Sequence, residues 1–469
     1  MVSLSRFTEM RDRAHSEIFT FIVPKTILSD YVQDVQSKDF SYGYQRWFLS
    51  FTKTDHHLSA SLHLRISPSP NAVTCILDYT IVLLNREHFS RNEIYNAKDA
   101  VFTAACAVQS SPNFVGIPDL LSRQFTDDQG EFIIDLILRN PRSFYEDAIQ
   151  VSPRVKGRPL ERLESAYFAF GNLEWNLVLL PNPSGTILKL NRMTHFEHSC
   201  QTRFRVSVGP EHGNHFLSGI LDSRSDLSGT GESIMAKLAL ENYVENNVVK
   251  VKVEMFSANL LSEIIIPTLH QSVHFYDRDK QGWHVQTYAC ERGETELLKL
   301  KMFYSDVKNV PREMARYVSW RVQVHPTNSP SASKPETLGP FVKYYQQRDV
   351  DFSFEISTKA SLSQELAAVR ARRPSQVENG SSAQSESTLN SYTVIVEWLQ
   401  LHLLTPANFH HYDDFHRMQY HQMRLELATV QKECYSLERT LLQYQHGVKP
   451  QYHPADQDTR SGIELVNGV

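Results

Sequence analysis

Three kinds of residue in this 469-residue chain could do chemistry: a glycine-containing turn, clustered histidines and scattered cysteines. The turn is Ser228-Gly229-Thr230-Gly231-Glu232-Ser233. A phosphate-cradling loop needs a lysine that reaches the β- and γ-phosphates, and an apolar strand before it. Here Glu232 stands in place of the lysine, Asp226 in place of the first glycine, and no Val/Ile-rich strand precedes them, so the segment reads as a turn. The twenty histidines are densest at His195 with His198, at His212 with His215, and at His410, His411, His416 and His421. None of these groups has the His-Glu-x-x-His order or a paired Cys-x-x-Cys of a zinc site. On a helix, His416 and His421 would diverge by about 140°. Cys75, Cys106, Cys200, Cys290 and Cys434 are odd in number and far apart, which suits neither a disulfide framework nor a thiolate metal site. No Gly-x-Ser-x-Gly nucleophile elbow is present. The expectation is a chain that is not an enzyme, with no catalytic residues, no metal and no cofactor.

The elements that would position such residues show an internal repeat. Trp47, Trp175 and Trp283 each open an alternating strand, at spacings of 128 and 108 residues. A second alternating segment follows each tryptophan, at 58–66, 187–192 and 297–303. A third comes after a turn-rich gap, at 75–84, 202–208 and 318–324. A closing strand fits at 131–138, 248–255 and 350–356. Period-two alternation of β-branched and aromatic residues marks half-buried strands, and Pro/Asn/Ser clusters between them mark turns. Short strands in this order suggest antiparallel β-sandwiches. The units expected are 1–150, 160–258 and 259–371, with a Pro-rich basic linker at 151–159.

The first unit carries a further series. It runs Phe19-x-Phe21-x-Val23, then Phe40-Ser-Tyr-Gly-Tyr-Gln-Arg-Trp47, then the alternating run from Leu58 to Leu64. Asp78 to Asn85 forms a long strand ending in Leu-x-Asn, followed by Asn113 to Leu121 and by Phe125-Thr-Asp-Asp-Gln-Gly-Glu-Phe-Ile-Ile-Asp-Leu136. In order and residue class, 17–140 resembles the MATH, or TRAF-C-like, domain family, and the second and third units would be degenerate copies. The sequence departs from the family at Pro112-Asn113-Phe114, where Trp-Gly-Phe is usual, and in a long polar loop over 85–105. The resemblance implies a sheet surface that holds a short extended peptide, with backbone bonds giving affinity and pockets reading alternate side chains. Carried over by position, the peptide-binding residues would be Ser61, His63, Tyr79, Ile81 and Phe114. Core packing is the competing reading for Tyr79, Ile81 and Phe114.

The last quarter is of different composition. Residues 372–392 are dominated by Ser, Gln, Glu and Asn and read as a flexible linker. A short capped helix is expected before it, at 361–370. The apolar run 394–404 reads as a strand or a buried helix. The stretch 393–446 as a whole is expected to be a helical, coiled-coil oligomerisation segment. Within it, Tyr420, Met423, Leu427, Val430, Cys434, Leu437, Leu441 and Tyr444 recur in steps of three and four, a heptad seam. Asp413 and Asp414 suit its start and Gly447 with Pro450 its stop.

Composition limits the function classes. A formal net charge of −5 gives no general case for nucleic acid or an anionic membrane. The clusters Lys156 with Arg158, and Arg370 with Arg372 and Arg373, are too small for a nucleic-acid track. The start of the chain lacks an apolar signal-peptide core, and no apolar stretch is long enough to span a bilayer. A reduced, soluble, cytoplasmic protein is expected. The fold class expected is mainly β: tandem antiparallel β-sandwiches, then a flexible linker and a C-terminal α-helical, coiled-coil segment. The function expected is an intracellular adaptor for peptide segments of protein partners. Its avidity would come from homo-oligomer or coiled-coil pairing. The alternative is a structural scaffold of sandwiches in a cytoskeletal or trafficking assembly, with no peptide groove.

Overall fold

A computed structural model describes residues 1–10, 16–66, 73–152, 161–210, 215–266, 272–292, 295–326, 336–361, 392–405 and 409–445. The expected capped helix at 361–370 and the linker at 372–392 lie almost entirely outside these residues. The first stretch of chain forms β1 (Ser3–Glu9), β2 (Glu17–Val23), β3 (Asp34–Gln36), β4 (Phe40–Tyr42), β5 (Gln45–Lys53), β6 (His57–Leu64) and β7 (Thr74–Leu83). It continues with β8 (Glu93–Phe102), β9 (Val108–Gly116), helix α1 (Ile117–Ser122) and β10 (Phe132–Gln150). Next come β11 (Leu163–Glu164), β12 (Phe168–Phe170), β13 (Leu173–Asn182), β14 (Gly185–Arg192), β15 (Ser199–Val208), β16 (Phe216–Leu217), β17 (Leu221–Ser225), β18 (Ile234–Ala236) and β19 (Val248–Ile266). The last strands are β20 (Ser272–Tyr276), β21 (Gly282–Arg292), β22 (Thr295–Tyr304), β23 (Ala315–Pro326), β24 (Glu336–Gln346), β25 (Ser353–Ser361) and β26 (Tyr392–Leu404), before helix α2 (Phe409–Gln445).

The protein is thus mainly β with antiparallel sheets and one long C-terminal helix. One 12-stranded sheet follows the order β1-β2-β10-β19-β26-β23-β24, with β7, β8, β15, β16 and β17 branching from it. Three smaller sheets stand against it: β3, β4, β5, β6 and β9; β11, β12, β13, β14 and β18; and β20, β21, β22 and β25. Each closes its own apolar core in a sandwich-like way. Trp47, Phe51 and Leu62 meet Phe21, Ile81 and Leu136 in the first. Trp175 and Leu188 meet Phe204 and Val251 in the second. Trp283 and Leu300 meet Trp320 and Val396 in the third.

The tryptophan repeat has a structural meaning. Trp47, Trp175 and Trp283 have no exposed surface, and each stands opposite a buried phenylalanine: Phe40, Phe168 and Phe275. A buried indole must place its N–H. Trp47 donates to the Tyr42 carbonyl and Trp175 to the Phe170 carbonyl, both at 3.0 Å and both five residues back. The Leu49 amide donates to Ser37 Oγ, and the Leu177 amide to Ser165 Oγ, so a second bond repeats at the same spacing. The third unit departs from this: Trp283 donates to the Asp277 carboxylate at 2.9 Å.

The units are joined by shared strands. β10 pairs with β2 and β7 in its first half and with β19 in its second. β19 repeats this, pairing with β10 at its start and with β26 at its end. An extra residue interrupts each strand, around Asn140-Pro141 in β10 and at Phe256 in β19. A bulge reverses side-chain parity, so an alternating strand that crosses one changes which residues face inward. The burial follows. In β10 the inward residues shift from Phe132, Ile134, Leu136 and Leu138 to Tyr145 and Ile149. In β19 they shift from Val249, Val251, Val253 and Met255 to Ala258, Leu260, Ile264 and Ile266. One strand therefore serves two cores on the same face of the large sheet.

Several expectations are corrected by this arrangement. The boundary expected at 258/259 falls inside β19, and by contact density Met1–Asn85 with Asn92–Ala407 make one compact unit. The strand expected to close the third unit near 350–356 is β25, which pairs with β22 in the smaller sheet. The position held by β10 and β19 in the other units belongs instead to β26, between β19 and β23. Residues 393–404 are therefore strand, not part of a helical segment, because Val394, Val396 and Trp398 fill the third core. The polar loop expected over 85–105 contains β8, paired along β7. The second compact unit is Arg86–Arg91 with α2, where Gln422 Nε2 donates to the Glu87 carbonyl at 2.9 Å.

Candidate functional site

Strand alternation in β5 and β6 sorts the first unit's smaller sheet into two faces. Trp47, Leu49, Phe51, Leu58, Leu62 and Leu64 point into the core. Phe48, Ser50, His63 and Arg65 point away from it and touch each other. Phe48 and His63 are cross-strand partners, and their rings stack at 4.2 Å. The Arg65 guanidinium lies 4.3 Å over Phe48, a cation–π contact. Asp39 holds Arg65 through Nε and Nη2, the latter at 2.8 Å, and also pairs with Arg46 at 3.1 Å. Ser50 Oγ lies 2.7 Å from His63 Nε2. Burial, with Arg65 beside it, lowers the His63 pKa.

Of the five residues expected to hold a peptide, Ser61 and His63 lie on this sheet. Ser61 Oγ bonds Ser110 Oγ at 2.8 Å, which links β6 to β9. Tyr79, Ile81 and Phe114 do not join them. All three lie in the first core, with 1%, 0% and 8% of their surface exposed. The register explains it: Tyr79 and Ile81 stand opposite Leu138 and Leu136 of β10, which face the same core. The five therefore do not share one surface, and the outer face of β5 and β6 is formed by Phe48, His63 and Arg65. Phe48 and Arg65 were missed, although Phe48 follows Trp47 and so takes the opposite parity. The third unit repeats the pair with identities exchanged, His284 stacking on Phe303 at 4.4 Å across β21 and β22. The second unit has Asn176 opposite Asn191 there.

The glycine-containing turn is not a phosphate cradle. Asp226 Oδ1 accepts the Ser228 amide at 2.9 Å, the Ser228 hydroxyl at 2.6 Å and the Thr230 amide at 3.1 Å. The Gly231 amide bonds Asn191 and the Glu232 amide bonds Ser223 Oγ. Its donors are already used by the chain's own acceptors. A cleft of about 1000 Å³ beside this turn is lined by Lys189, Arg224, Glu263 and Tyr276 among others. Within it Arg224 pairs with Glu263, and the Ser199 hydroxyl donates to the same carboxylate. Among the described residues no three His, Cys, Asp or Glu side chains converge as a metal would require. No helix of the described residues is long and apolar enough to cross a membrane.

The other candidate surface is α2. Tyr420, Met423, Leu427, Val430, Cys434, Leu437, Leu441 and Tyr444 lie on this single helix, and every one is exposed. Leu427 and Leu437 keep 58% and 67% of their surface. The heptad places them in one stripe, because steps of three and four return a helical residue to the same side. A scan against protein-family models gives no match, and a comparison with curated proteins gives none either.

Proposed function

We propose that this chain is a non-enzymatic adaptor, working in the cytoplasm, whose copies are brought together by α2. The observation that carries the reading is the exposed heptad stripe on α2. Eight apolar or half-apolar residues in that pattern lose water only by packing against another helix, and each buried leucine contributes about 2 kcal/mol. The coiled coil multiplies a weaker site elsewhere through effective concentration. That weaker site is the outer face of the first unit, where Phe48, His63 and Arg65 offer a flat aromatic-cationic surface beside edge strand β9. An extended peptide of a partner protein suits such an edge, as the MATH-like reading of the first unit implies. Burial pushes the thiols of Cys75 and Cys200 up to about 12, so both stay protonated as small core groups.

Light scattering on the full chain at micromolar concentration tests the self-association. The expected result is an oligomer that Leu427→Asp with Leu437→Asp reduces to monomer while the β-sheet circular dichroism is kept. A wild-type monomer would sink it. A second reading, a rigid scaffold without a groove, draws on the shared strands that fuse the three cores. It gains if the wild-type chain captures no extended peptide, so that Phe48→Ala with Arg65→Ala has no binding to remove.

A further inference from the structure

The charges that flank the stripe differ in what they allow. With Tyr420, Leu427, Cys434 and Leu441 at a, and Met423, Val430, Leu437 and Tyr444 at d, the e positions are Arg424, Gln431 and Glu438. The g positions are Gln419, Glu426, Glu433 and Thr440. Arg424, Glu426, Glu433 and Glu438 are all exposed. In a parallel in-register pair, each g residue meets the e residue of the next heptad on the other helix. Gln419 would face Arg424, Glu426 would face Gln431, and Glu433 would face Glu438, the last twice over. That arrangement has two repulsions and no attraction between opposite charges.

Reversing one helix changes the balance. Layers of a over d then stack Tyr420 on Tyr444, Leu427 on Leu437, Cys434 on Val430 and Leu441 on Met423. Each e residue now faces e, and each g faces g. Arg424 meets Glu438 of the second copy, and by symmetry this happens twice. Glu426 meets Thr440, and one Glu433–Glu433 contact remains on the axis. No oppositely charged residue lies at i±4 of either group: Arg424 has Tyr420, whose ring centre is 6.0 Å from its guanidinium, and Ala428, and Glu438 has Cys434 and Leu442. The contacts α2 makes with Arg86–Arg91 include those of Gln422 and Glu426, on the c and g side.

We propose that α2 pairs with α2 of a second copy of this chain in antiparallel orientation, selected by the two Arg424–Glu438 contacts. The occupant of the stripe is thus the chain itself, and the orientation rests on the reading of α2 as a self-associating helix.

Charge exchange in the full-length protein decides it. At low salt, Arg424→Glu and Glu438→Arg are each expected to weaken the dimer about fivefold or more, by replacing two attractions with two repulsions. The double variant is expected to return to near wild type. A parallel pair gives the opposite for Glu438→Arg, which would tighten it by removing the Glu433–Glu438 repulsion. Cross-linking gives a second readout. With exposed Cys106 changed to serine, mild oxidation is expected to link chains only when Val430→Cys and native Cys434 are both present. In the antiparallel pair, like positions are offset by about 6 Å along the axis, four residues of rise. Efficient linking through Cys434 alone, or tightening by Glu438→Arg, overturns the orientation and leaves self-association standing. A monomeric wild type overturns both.

Discussion

At the scale of single residues, what a buried group does with its polar atoms separates the three tryptophans. Trp175 gives its N–H to a neutral carbonyl, whereas Trp283 gives it to Asp277, which is fully buried and also holds Arg316 at 3.0 Å. Hydrogen bonds to charged groups are worth more, and a buried carboxylate short of a donor is costly. Trp175→Phe is expected to cost about 1 kcal/mol and Trp283→Phe about 2–3 kcal/mol, compared from urea midpoints. Glu17 gives a pH dependence. Burial, with Glu9 nearby, pushes its carboxyl up to about 8, while Gln400 bonds only Oε1. The folded chain keeps the proton that the unfolded chain loses near 4.5, so stability falls as pH rises from about 4.5 to about 8. Glu17→Gln is expected to match wild type near pH 4 and to exceed it by about 2 kcal/mol at pH 8, measured by chemical unfolding at both pH values. The tryptophans were legible in the sequence because a large aromatic with one donor has few places to go. Tyr79 and Ile81 were not, because Ile76, Thr80 and Val82 between and around them are as fit for the core as they are, and parity alone could not choose.

At the scale of elements, the bulges decide most. Gly43 has φ +57° in the turn before β5, and a Cβ there would come within 2.6 Å of Pro141 Cβ in the β10 bulge. Gly43→Ala meets both a strained backbone and a close contact. It is expected to lower the melting temperature by about 5 °C or more, read by circular dichroism. The extra residues in β10 and β19 could not be read from sequence, since each looks like an ordinary break in alternation. β8 escaped for another reason. As an edge strand, it exposes Asn96, Lys98 and Asp99 and buries only Phe102, with Tyr95, Ala97 and Ala100 packed alongside. The heptad of α2 was legible because seven successive steps of three and four do not arise from a strand.

At the scale of the whole β body, shared strands make the cores interdependent. Tyr44 Oη donates to Asn259 at 2.7 Å, Asn259 donates to Glu397 at 2.6 Å, and Glu397 pairs with Arg321 at 3.6 Å. This line of contacts runs from the first unit through β19 to β26 and β23. Unfolding is therefore expected as one transition. Hydrogen exchange at Leu49, Leu177 and Val285, one amide per core, would show a common opening free energy near the global one. Three separate values would mean three independent domains. The repeat was legible at this scale, but its fusion was not, because β26 lies some thirty residues past β25 and was read with the tail. That placement matters during synthesis. β19 and β23 both need β26 between them, and Tyr317 and Leu404 also belong to the first core. At about 5–20 residues per second, roughly 4–16 seconds pass between the translation of Pro326 and of Leu404. During that time two apolar strand edges stand unpaired on the ribosome, and nascent chains that stall there are the ones a chaperone would have to shield.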